Sequence, residues 1–68
     1  MYEIRSNDGK RFVVHDPDTD EWFTLQEGAR YKGKPARPFR TEDVYKITQL
    51  WNLFGGSGGD YEMTEVKG

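Results

Sequence analysis

The chain has no cysteine, no long apolar run and few aliphatic side chains, with Ile, Leu and Val together supplying nine of its 68 residues. Without cysteine there is neither a disulfide framework nor a thiolate metal site, which removes the usual supports of a small secreted scaffold and points to an intracellular setting. No window approaches the roughly 20 apolar residues of a membrane span. The opening Met1-Tyr2-Glu3-Ile4-Arg5 has no stretch of the signal-peptide kind. The expectation is a cytoplasmic protein with no membrane association. A chain of this length buries only roughly 60% of its unfolded surface, enough for one core and one domain.

What fills that core is aromatic. Ten Phe, Trp and Tyr residues are present, and each can bury about 150–250 Å². Charge is unevenly spread: residues 1–29 hold seven acids and three bases, residues 30–40 five bases and no acid, and residues 41–68 five acids and two bases. An acidic body interrupted by one basic segment says more about partners than the net charge of −2 does. The acidic balance also argues against a generic nucleic-acid coating protein.

Alternation in Tyr2-Glu3-Ile4-Arg5, the turn residues Asn7-Asp8-Gly9 and the β-rich Arg11-Phe12-Val13-Val14-His15 predict a hairpin. A second turn over Asp16-Pro17-Asp18-Thr19-Asp20 leads to a third strand over Glu21-Trp22-Phe23-Thr24-Leu25, completing a meander over 1–25. Residues 26–40, broken by Gly28, Gly33, Pro35 and Pro38, read as a long basic loop with a short extended stretch near Tyr31. Thr41 as N-cap, Glu42 and Asp43 in the first turn and Gly55 at the C-cap frame a helix over 41–54. Its stripe of Val44, Ile47, Leu50, Trp51 and Phe54 covers one sheet face. A glycine-rich connector over 55–60 and a last strand over 61–67 follow. The fold class is α+β: a small antiparallel sheet in the order β-β-β-α-β with one amphipathic helix on one face.

Asp16, Asp18, Asp20 and Glu27 occupy positions one, three, five and twelve of a calcium-loop pattern. Glu21 stands where that loop requires glycine, Pro17 occupies position two, and a strand follows instead of a helix, so an acidic β-turn is the stronger reading. Those turns also offer an acidic patch to a basic channel in a partner. Arg30, Lys32, Lys34, Arg37 and Arg40, with Tyr31 and Phe39 among them, can contact phosphates while the rings stack on bases. A solvated loop paired with neighbouring carboxylates accounts for the same residues. Pro35-Ala36-Arg37-Pro38-Phe39-Arg40 spells a polyproline-ligand pattern, which two prolines before a helix produce for steric reasons alone. His15 is the only histidine and no serine is placed beside it as a nucleophile, so catalysis lacks parts. Trp51 belongs to the core stripe, whereas Tyr45 and Leu53 project away from it and are candidate contact residues.

The Met1-Tyr2-Glu3-Ile4 opening, the Asp8-Gly9-Lys10 turn, Phe39-Arg40-Thr41-Glu42-Asp43 before the helix and the closing Tyr61-Glu62-Met63-Thr64-Glu65-Val66 together resemble small phage-encoded accessory proteins, with the glycine run and basic loop as departures. The resemblance implies a compact protein that binds a host machine and blocks it, as anti-CRISPR proteins do. The expected function is therefore that of a non-catalytic binding protein, without cofactor or metal, that inhibits or modulates a host protein or ribonucleoprotein complex through charged patches. The basic candidates are Arg30, Tyr31, Lys32, Lys34, Arg37 and Arg40; the acidic ones are Asp16, Asp18, Asp20 and Glu21. Direct nucleic-acid binding by residues 30–40 is the alternative. Nothing in the residues sets an oligomeric state.

Overall fold

The fold comes from a computed structural model that describes residues 1–55 and 58–67. Its first reversal follows from local chemistry. Gly9 has a φ of +75°, and the Asp8 carboxylate accepts from the Ser6 hydroxyl at 2.6 Å and the Lys10 N–H at 2.9 Å. The turn joins β1 (Tyr2–Ser6) to β2 (Arg11–Asp16), and the Asp16–Asp20 turn joins β2 to β3 (Glu21–Gln26). After these come β4 (Arg30–Tyr31), β5 (Lys34–Pro35), α1 (Val44–Leu53) and β6 (Tyr61–Glu65). The main sheet is antiparallel in the order β3-β2-β1-β6, and β4 and β5 form a separate hairpin.

α1 packs on one face of the sheet. Ile47 and Leu50 meet Ile4 and Val13, with Tyr2, Trp22, Phe39, Trp51, Phe54 and Tyr61 around them. The expected stripe is therefore present except at Val44, which stands at its margin in the first turn and is 54% exposed. The cap also differs. Thr41 is committed through its backbone to Tyr2, so Asp43 takes the N-cap position and its carboxylate accepts from the Lys46 N–H at 3.1 Å. Thr41 supports it from behind, its hydroxyl accepting from the Asp43 N–H at 3.1 Å. Glu42 precedes the helix, so neither expected acid lies inside the first turn. Gly55, with φ of +76°, stands where the left-handed stop was expected.

The second sheet face is covered as well. Phe12 and Val14 are buried there, opposite Leu25 and Phe23. Tyr31 from the hairpin lays its ring 5.1 Å from that of Phe23, and the Arg5 guanidinium sits 5.5 Å from the Phe12 ring centre. Residues 26–40 are thus not one long loop. Lys32 and Gly33 both have positive φ, +52° and +78°, as a two-residue hairpin turn requires, and the Ala36 N–H bonds the Ala29 carbonyl at 2.9 Å. Directly afterwards the chain joins both central strands. The Phe39 N–H bonds the Val13 carbonyl at 2.9 Å, while Thr41 and Tyr2 exchange bonds of 3.1 and 2.7 Å.

The last strand ends at Glu65, short of the expected 67, and within the expected connector Gly56 and Ser57 lie outside the described residues. No described helix is long and apolar enough to cross a membrane.

Candidate functional site

Asp16 ends β2 on the face away from α1, and it is only 2% exposed. One carboxylate oxygen accepts from the Asp18 N–H at 2.9 Å. The other accepts from the Tyr31 hydroxyl at 2.5 Å and faces the Lys32 ammonium at 2.9 Å. The Tyr31 hydrogen bond first, then that of Lys32, holds the Asp16 carboxyl far below the usual carboxylate range. Reciprocally, the Asp16 carboxylate pushes the Tyr31 phenol up, and together with Asp18 it pushes the Lys32 ammonium up.

A second carboxylate works in the same way. Glu3, also 2% exposed, accepts from Arg40 Nε at 2.9 Å and from Arg5, whose other end reaches Glu27 at 2.7 Å. The two expected surfaces are therefore brought together largely on each other. Of the basic set, Tyr31, Lys32 and Arg40 turn toward acids, and Arg30 donates to the Gly33 carbonyl of its own hairpin at 2.6 Å. Among the described residues Lys34 and Arg37 are exposed and form no ion pair. Of the acidic set, Asp16 is buried, Asp18 pairs with Lys32 at 3.3 Å, and Asp20 meets His15 Nε2 at 2.7 Å. Within that set Glu21 remains exposed and without an ion pair among the described residues.

Of the calcium-pattern residues, Asp16 and Asp18 share Lys32, Asp20 goes to His15 and Glu27 to Arg5, and no metal-holding group of three or more His, Asp or Glu side chains occurs among the described residues. His15 stacks on Trp22 with ring centres 4.1 Å apart, and Phe39 meets Trp22 edge-on at 4.9 Å. Its imidazole is thus part of an aromatic cluster closed by Asp20.

A different surface is left open. The outer side of α1 presents Tyr45 at 73% and Leu53 at 78% exposure, with Thr48, Gln49 and Asn52 between them and Val44 at the edge. The one charged residue of the helix, Lys46, lies 5.7 Å from the Phe39 ring centre. The Thr48 hydroxyl, which donates to the Val44 carbonyl at 2.7 Å, lies 3.7 Å from the sulfur of the exposed Met63, a contact that joins the helix face to β6. In a chain with 32% charged residues, this face carries Lys46 as its single charge, on the margin beside Gln49 and Leu53. Along β6 the acids Asp60, Glu62 and Glu65 form no ion pair among the described residues, Glu65 lying on the helix side of the strand and Glu62 on the other. Tyr45 and Leu53 are legible in the sequence as residues off the stripe. Val44 and Met63 are not, because one belongs by spacing to the buried side and the other to a strand whose edge position only the topology reveals.

Comparison with protein-family models, with curated proteins and with solved structures found no match to this chain.

Proposed function

We propose that this chain is a small non-catalytic docking protein that inhibits or modulates a larger host protein or ribonucleoprotein complex, and that its docking face is the outer side of α1 with the adjoining β6. The observation that carries this reading is the partly apolar helix face, which holds Lys46 as its single charge, beside a strand β6 whose acids are unpaired among the described residues. Interfaces concentrate aromatic and Met side chains at a centre depleted of charge and surround it with a polar rim. Lys32 and Arg40 are half-exposed but neutralised by buried carboxylates, which supports the same choice by leaving less net positive charge on the basic segment for a partner. The reading therefore keeps the class of function that the resemblance implies and moves the contact from the charged segments to the helix.

Nucleic-acid binding is the second reading, favoured by the exposure of Arg30, Lys34 and Arg37 on one stretch of chain. The test is capture from bacterial lysate, with and without nuclease, by three forms of the tagged protein. These are the unaltered chain, Tyr45→Ala with Leu53→Ala, and the triple Arg30→Gln, Lys34→Gln, Arg37→Gln variant. The docking reading predicts a nuclease-resistant protein complex that the helix pair loses and the triple variant keeps. Nucleic acid captured alone, lost on digestion and lost in the triple variant, would establish the second reading in its place.

A further inference from the structure

The main sheet has two open edges, and they differ. At β3 the Thr24 carbonyl accepts from the Arg11 guanidinium at 3.3 Å and the Gln26 carbonyl from the Ala29 N–H at 3.0 Å, so that edge is already blunted. At β6 the alternation of an antiparallel ladder decides which groups face outward. Val66 and Met1 exchange bonds of 2.6 and 3.2 Å, and the Asn7 N–H bonds the Asp60 carbonyl at 3.0 Å. Even-numbered residues from 60 to 66 therefore turn their backbone groups toward β1, and Tyr61, Met63 and Glu65 turn theirs away from it. The Tyr61 carbonyl meets Trp51 Nε1 at 2.8 Å. Among the described residues nothing outside the sheet bonds the backbone of Met63 or Glu65. β6 contains neither lysine nor proline, two of the usual guards of a free edge.

The side chains beside this edge specify what fits it. On the helix side lie Met63, Thr48 and the exposed Val44; on the opposite face lies Glu62, with Asp60 and Glu65 at the two ends. A second copy of this chain placed edge to edge would bring both sets of carboxylates to one seam, which like-charge repulsion opposes. A cationic strand reverses that sign. We propose that the free edge of β6 receives an extended, cationic segment of the partner protein as a fifth strand, its alternate residues apolar toward Met63 and α1 and basic toward Glu62. This inference rests on the docking reading above and gives it a partner chemistry: backbone pairing supplies affinity and the alternation supplies selectivity.

The probe is a blocked heptapeptide alternating lysine and valine, added to ¹⁵N-labelled protein and followed by amide hydrogen exchange at each residue. Slowed exchange at Met63 and Glu65 is expected, with no such effect from an alternating glutamate and valine peptide. Met63→Pro removes one outward N–H while sparing the bonds to β1, and it should weaken peptide binding about tenfold, the equivalent of one backbone hydrogen bond. Glu62→Gln leaves the backbone intact and should weaken binding too, so the proposal stays testable should the proline variant not fold. Shift changes without slowed exchange at Met63 and Glu65, or no binding, would overturn it. So would protection of the same amides that rises with protein concentration alone, which would make a second copy the occupant. If the edge fails in one of these ways while Tyr45→Ala with Leu53→Ala still abolishes capture, only the edge proposal falls. If capture ignores that pair while the peptide still pairs with the edge, the fault lies in the placement of the docking face on α1.

Discussion

Asp16 is a buried carboxylate kept ionised by a phenol and an ammonium, and that arrangement has a pH signature. Its folded pKa lies below the unfolded one, so its contribution is fully present above the ordinary carboxylate range and is lost as pH falls below about 4. Tyr31 and Lys32 are shifted the other way, so theirs is present below about pH 10 and is lost as pH rises beyond it. Asp16→Asn should lower the melting temperature by about 5 °C at pH 7 and flatten the acid limb of a melting-temperature profile. Acid limbs of equal steepness in the two proteins would contradict the assignment. Read as sequence, Asp16 is the first acid of an Asp-Pro turn, and nothing local announces that the Tyr31 hydroxyl 15 residues away covers it. One signal was available: the period of two from Phe12 through Val14 places Asp16 on their buried side.

At the scale of elements, α1 is the most legible part, because its apolar spacing, its flanking acids and Gly55 all agree. Its start is less so, since Thr41 and Asp43 are both good caps and only the bridge from Thr41 to Tyr2 decides between them. Asp43→Ala should cost about 1 kcal/mol in urea denaturation. Ile47→Ala should cost about 2–5 kcal/mol, whereas Leu53→Ala should stay within about 0.5 kcal/mol because its side chain faces solvent. A Leu53 variant as damaging as the Ile47 one would place the wrong helix face outward. The β4–β5 hairpin was legible only as the short extended stretch near Tyr31 that is β4, and its pairing was not, for a physical reason. Its strands have two residues each, too few to show alternation, and its turn carries Lys-Gly in place of the usual Asn-Gly or Asp-Gly. Gly33→Ala should cost about 1 kcal/mol, because only glycine takes the required positive φ without strain.

For the molecule as a whole, the segregation of charge along the chain is a guide to its own packing. The acidic first third and the basic segment that follows it are joined at Asp16, Asp18 and Glu3, through Lys32 and Arg40. A count of charges registers the two blocks but not that they face one another, because the contacts span up to 37 residues and depend on which face of β1 and β2 each acid occupies. On the proposed docking function, the pairing favours the helix face and the β6 edge as the contact surface. Amide hydrogen exchange of the free protein tests this most directly, at Ala36, Phe39 and Thr41. If the basic segment is built into the fold, these amides exchange far more slowly than a free loop and approach the protection of Val13 and Leu50. Exchange at the rate of an unprotected chain, with Val13 and Leu50 still protected, would contradict the account and return the basic residues to solvent as a nucleic-acid-binding arm.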